Sequence, residues 1–172
     1  KLAAPGVNFT LTARADRIEI AGGLAHVIDF KTGGAPSARQ VLKGFAGQLP
    51  LTAAMLQRGG LPEVGKREPG DLLYVRVSGR EPPGKLEWRG RSGEPTGREL
   101  PPSEELAERS WTGFVGLVAR YADPAQPYRS RTAPEQIKYK SDYDHLARVH
   151  EWSVSGDDED GDSDNGDNGG DA

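Results

Sequence analysis

Apolar and polar residues alternate from Val7 to Ala15, with Val7, Phe9, Leu11 and Ala13 set against Asn8, Thr10, Thr12 and Arg14. A period of two is that of a strand with one buried face. The run leads into the strand that carries Ile18 and Ile20, so one long strand ending near Ala21 is predicted. Gly22-Gly23 follows, and then a second β-type run through Leu24, Val27, Ile28 and Phe30. A two-residue Gly-Gly connection suits a type I′ hairpin, because both central residues need positive φ. Counting outward from that turn pairs Ala21 with Leu24 and Ile20 with Ala25. It also sets His26 across from Glu19 and Asp16 opposite Asp29.

Downstream the period changes. Ser37, with Gln40 three residues later, forms a capping box for a helix whose apolar face is Val41, Leu42 and Phe45. Gly44 and Gly47 break that helix, and Pro50 fits the first turn of a second one running to about Arg58. Asp71–Ser78 is a strand, with 85–89 as its hairpin partner, and Gly90–Pro102 is a loop by composition. Ser103 is expected to cap a helix that carries Leu106, Trp111, Phe114, Val118 and Tyr121 at helical spacing. A last short helix is expected over 141–151. The pattern as a whole is α/β, a mixed sheet flanked by helices.

Composition changes this picture in three places. The formal charge of −4 is misleading, because eight of the 26 acids lie in Gly156–Ala172. Residues 1–155 then carry 22 basic and 18 acidic residues, a mildly basic domain that permits a polyanionic partner. The tail itself has nothing to bury and is expected to be disordered. Within it Asp160, Asp162 and Asp164 have calcium-loop spacing, but Asn165 stands where the loop needs glycine and Asp171 where it needs glutamate. It is read as a solvated tail. The absence of cysteine excludes disulfides and an iron–sulfur cluster and suits a cytoplasmic protein. No apolar run is long enough to span a membrane, and no signal peptide is evident. The first residue is Lys1 and not Met, so the chain is expected to be part of a longer protein.

The candidate chemistry lies in the hairpin. Opposed side chains on one face lie about 4.5–5.5 Å apart at Cβ, and like charges there are destabilising. Asp16 and Asp29 therefore need a cation between them or a proton on one of them. Alternation puts Lys31 on the face of Asp29, so Asp16, Asp29 and Lys31 converge. Two carboxylates suit a hard divalent cation such as Mg²⁺, and an adjacent ammonium can orient a water or steady charge on a phosphoryl oxygen. That equipment fits phosphodiester hydrolysis. Salt bridges from Arg14, Arg17 and Lys31 to the acids of a surface hairpin are the alternative. Arg14, Arg17, Arg39 and Lys43 flank the site and are candidates for DNA-phosphate contacts.

The stretch "ADRIEI…HVIDFKTG" followed by "GQLPLTAAML" resembles the RecB-like branch of the PD-(D/E)XK nucleases. Asp16 matches that family's first acid, Asp29 and Lys31 its Asp-X-Lys, and Gln48 its helix glutamine. "GQLPLTAAMLQRGG" and "IKYKSDYDHLARVHEW" further resemble the C-terminal nuclease domain of the AddB helicase–nuclease subunits. The resemblance covers most of residues 7–152. It implies a nuclease-like domain over 1–155 that acts on DNA as an exonuclease in double-strand break repair and recombination. It implies Mg²⁺ (or Mn²⁺) on Asp16 and Asp29, an activating Lys31, a substrate-supporting Gln48, and an AddA-like helicase–nuclease subunit as partner. Thr52 stands where the family has a tyrosine. The family's upstream helix would precede Lys1, so the isolated chain is expected to cleave DNA poorly. The rival function is a non-catalytic module of the same fold for DNA holding or subunit docking.

Overall fold

A computed structural model describes residues 2, 3, 6–79 and 81–128. The chain divides after Gln126, and every element described here belongs to the unit Lys1–Gln126. The expected helix over 141–151, the tail over 156–172 and the "IKYKSDYDHLARVHEW" segment lie outside the described residues.

The elements are β1 (Leu2–Ala3), β2 (Thr10–Leu11), β3 (Arg17–Ala21), β4 (Leu24–Lys31), α1 (Ala38–Leu42), α2 (Gln48–Gln57), β5 (Pro69–Val77), β6 (Gly84–Gly90) and α3 (Ser103–Ala122). The main sheet has the order β3-β4-β5-β6. Its β4–β5 pair is parallel and its outer pairs are antiparallel, so the predicted mixed sheet is present. The hairpin turn has Gly22 at φ 57° and Gly23 at φ 81°. Its register is the one counted from the turn, Ala21 on Leu24 through Glu19 on His26 to Arg17 on Ile28.

The long strand predicted over 7–21 is interrupted. β2 pairs with β1 in a separate two-stranded sheet, and the β3 ladder begins only at Arg17. Alternation marks a residue's preferred face, but a strand also needs a partner, and β4 ends at Lys31 before it could pair with residues upstream of Arg14.

The capping box at α1 forms as predicted, with Ser37 Oγ accepting from Gln40 N and Gln40 Oε1 from Ser37 N. The predicted cap of α3 does not. Pro102 is the N-cap, and Ser103 is the first helical residue, buried and without a hydrogen-bond partner for Oγ. Its hydroxyl packs against Gly90, where an added Cβ would lie 2.5 Å from Oγ. Only glycine lets β6 and α3 approach so closely.

The core lies between one face of the sheet and the helices. Val27, Leu72 and Tyr74 meet Leu49, Ala53 and Leu56 of α2 and Leu106, Ala107 and Trp111 of α3. The Arg58 guanidinium stacks over Trp111 at 4.8 Å and pairs with Glu108, which ties α2 to α3. Among the described residues, no helix is long and apolar enough to cross a membrane.

Candidate active site

Alternation along β4 buries Ala25, Val27 and Asp29 on the helix-covered face. Asp29 is thus a carboxylate among core residues, only 2 % exposed. Burying a charge costs several kcal/mol unless it is paired and hydrogen-bonded. The fold supplies two partners. Lys31, two residues on and on the same face, places Nζ 2.6 Å from Asp29 Oδ2. Gln48, the first residue of α2, donates its Nε2 hydrogen bond to Asp29 Oδ1. The same amide accepts from Lys31 Nζ through Oε1 at 3.2 Å, which closes a three-residue ring of contacts. The α2 N-terminus also brings the positive end of a helix dipole toward the carboxylate.

Asp16 completes the group from β3's leading edge. The β3–β4 ladder ends at Arg17, and Asp16 Oδ2 accepts the backbone N–H of Phe30 at 3.0 Å instead. That hydrogen bond holds the Asp16 carboxylate against the peptide that follows Asp29. Each acid thus has its own partner, Lys31 for Asp29 and the Phe30 amide for Asp16.

Tyr74 was not singled out by the sequence pattern, yet it stands directly beside Asp29 in the β4–β5 register. Its ring lies 5.5 Å from Lys31 Nζ and 5.8 Å from Arg89 Cζ. Burial, reinforced by the Asp29 charge, pushes its hydroxyl pKa up to about 12, against a smaller lowering by Arg89. Thr52, in the position where a tyrosine was expected from the resemblance, is buried and donates through Oγ1 to the Gln48 carbonyl at 2.7 Å. An aromatic ring therefore reaches the lysine from β5, and Thr52 steadies the first turn of α2.

The four basic residues proposed as phosphate contacts are dispersed. Arg17 is on the opposite face of β3 from Ile18 and pairs with Glu19. Arg14 lines a cleft with Ile18 and Leu61–Val64. Arg39 is exposed on α1, and Lys43 borders a groove of about 410 Å³ between the α1–α2 turn and α3. His26 keeps to the face opposite the aspartates, where its Nδ1 accepts from the Asp71 N–H at 2.9 Å.

The family profile of the PD-(D/E)XK nuclease superfamily matches residues 2–145. The chain belongs to that superfamily. No curated protein and no solved structure matches it. Members of the PD-(D/E)XK superfamily are generally metal-dependent nucleases, so the function is nuclease-type.

Whether these residues suit a divalent metal can be judged from the oxygens. Asp29 Oδ2 is buried and has no hydrogen-bond partner, because Lys31 Nζ approaches it closely but outside hydrogen-bond geometry. A buried carboxylate oxygen held by an ion pair alone can still ligate a hard cation. Asp16, held on the Phe30 amide, is the second candidate carboxylate. Among the described residues no three acidic or histidine side chains gather into one metal cluster. Two protein carboxylates still suffice for Mg²⁺, which keeps several waters. The donor set fits the group.

Proposed function

We propose that the chain is a Mg²⁺-dependent deoxyribonuclease domain working exonucleolytically within an AddB-like helicase–nuclease subunit. An AddA-like partner would feed it strand during double-strand break repair in the cytoplasm. The observation that carries the reading is the ring of contacts among Asp29, Lys31 and Gln48 with Asp16 at its edge. A buried acid, a cation and an amide held by one strand and a helix N-terminus are costly to keep for stability alone.

Asp16 and Asp29 would hold Mg²⁺, or Mn²⁺ in its place, and the bound metal would supply Lewis acidity toward a phosphodiester oxygen and an acidified water. The chain's own residues do the rest. Asp29 is fixed in position by Gln48 on one oxygen and Lys31 on the other, so its carboxylate holds one direction. Lys31 Nζ, shared between Asp29 and Gln48, keeps its protons next to the reacting centre and neutralises charge that grows on oxygen there. Gln48 supports substrate from the mouth of α2. Arg14, Arg17, Arg39 and Lys43 remain proposed as outlying DNA contacts, with Arg17 first having to leave Glu19.

The presence of only two gathered carboxylates favours one second reading, a DNA-holding module of the same fold. Cleavage of single- and double-stranded DNA separates the two. Metal-dependent cleavage that falls about 10²–10³-fold in Lys31→Ala is expected, the size typical of losing one charge-stabilising group. DNA binding with no metal-dependent cleavage, unchanged in Lys31→Ala, would favour the holding module.

A further inference from the structure

The register of the sheet places three cations in one row. Lys31 on β4 stands opposite Arg76 on β5, and Arg76 stands opposite Lys85 on β6. Directly paired residues share a face, so all three project on the side of Asp29 and Tyr74. Like charges set opposite one another are destabilising. A row of three is therefore unexpected in a sheet that serves only to fold.

Their anionic neighbours do not relieve it fully. The adjacent row is Asp29, Tyr74 and Glu87, and its acids are already engaged. Asp29 is held by Lys31 and Gln48. Glu87 takes a 2.6 Å bond from Arg89 and reaches Lys85 only at 3.6 Å. The Arg89 hydrogen bond, helped by the Lys85 and Arg89 charges, holds its carboxyl below the usual range against the raising effect of burial. Arg76, in the centre of the row, has no ion-pair partner among the described residues. Beside it, at the C-terminal ends of β4 and β5, opens a cleft of about 810 Å³ lined by Thr32, Gly33, Arg76, Val77, Ser78 and Gly79.

We infer that Arg76 and Lys85 bind successive phosphates of the nucleic-acid strand whose scissile bond lies at Lys31. The row then leads that strand across the sheet past the cleft. This rests on the nuclease reading, and it extends the site by two residues that no hairpin motif contains. Two interstrand spacings span about 9.5 Å. At about 3.4 Å of helix axis per phosphate of one duplex strand, a row lying along that axis meets two or three phosphates. The contacts read charge and not base, so the track is sequence-independent.

The test is the salt dependence of binding to a labelled single-stranded oligonucleotide in EDTA, together with thermal melts at low salt. Arg76→Gln, Lys85→Gln and the double variant are compared with wild type and with Arg67→Gln, an exposed cation ahead of the start of β5. Each row substitution is expected to weaken binding and to reduce the slope of log K against log salt by about 0.7, and the double variant by about 1.4. Arg67→Gln is expected to leave both unchanged. Arg76→Gln is expected to melt no lower than wild type, because it removes an opposed like charge. Wild-type affinity and slope in the double variant would overturn the track, as would a loss of binding accompanied by a lower melting temperature. If that variant binds normally while Lys31→Ala abolishes cleavage, the track fails and the nuclease reading survives. If the row carries binding but the wild type shows no metal-dependent cleavage, the track stands and the nuclease reading fails.

Discussion

Asp29 and Phe30 are neighbours in β4, yet the aspartate is 2 % exposed and the phenylalanine 46 %. The two faces of the sheet repeat this inversion across the strands. On the helix-covered face the rows run Asp29–Tyr74–Glu87 and Lys31–Arg76–Lys85. On the other face they run Ile28–Leu73–Trp88 and Phe30–Val75–Leu86, with Leu86 51 % exposed. A sheet with one solvated face ordinarily turns its polar residues to water and its apolar ones to the helices. Val27 and Leu72 obey that rule deeper in the sheet. Toward the C-terminal ends of β4 and β5 it reverses, and the reversal coincides with the site. Buried polar groups are the informative exceptions to burial rules, and here they are the residues proposed to carry the chemistry.

The comparison can be broken first at the core. Leu72→Ala, on the covered face where packing follows the rule, is expected to cost about 2–5 kcal/mol in denaturant unfolding. A cost below ~1 kcal/mol would mean that the helices do not hold this face as described.

Tyr74 sharpens the comparison through pH. Its pKa is raised in the folded state from 10.0 to about 12, so the folded chain binds the proton more tightly than the unfolded chain does. The associated stability is complete below pH 10.0 and is lost as pH rises through about 12. The loss is on the order of 3 kcal/mol, at 1.36 kcal/mol per pH unit. Tyr74→Phe should flatten that alkaline fall relative to wild type. Phenolate absorbance in Asp29→Asn should show Tyr74 ionising at lower pH, since the Asp29 charge is the second cause of the shift. An alkaline limb identical in wild type and Tyr74→Phe would show that the ring is not buried beside the acid.

The smallest effect belongs to the open face. Phe30→Ser is expected to change stability by no more than about 0.5 kcal/mol, as for an ordinary surface substitution. A loss above ~1 kcal/mol would show that this face is covered in solution.

These rows also mark how far the sequence could be read. The β3–β4 register and the shared face of Asp29 and Lys31 follow from a glycine turn and a period of two, which are local. Gln48, 19 residues from Asp29, was legible only through the family resemblance, and Asp16, expected opposite Asp29, instead binds the Phe30 amide just past the end of the ladder. Tyr74, Arg76 and Lys85 were missed because their place depends on β4 pairing in parallel with β5 across two intervening helices, and no pattern within either strand encodes that register. Arg17 shows the converse limit. Its proximity in sequence suggested a phosphate contact, but one step of strand alternation turns it to the other face, against Glu19. Ser103 has the residue type of a cap, and close packing against Gly90 takes its hydroxyl elsewhere.

The central claim is that buried Asp29, together with Asp16 on the Phe30 amide, forms a divalent-metal site. Its most direct test is a calorimetric titration of the chain with Mn²⁺ or Mg²⁺, in wild type, Asp16→Asn and Asp29→Asn. Each variant is first confirmed as folded by its melt. Saturable binding is predicted for wild type and its loss for both variants. At about 100 times the dissociation constant, the metal should add about 2.7 kcal/mol to wild-type stability alone. The same isotherm in wild type and in both folded variants would contradict the site.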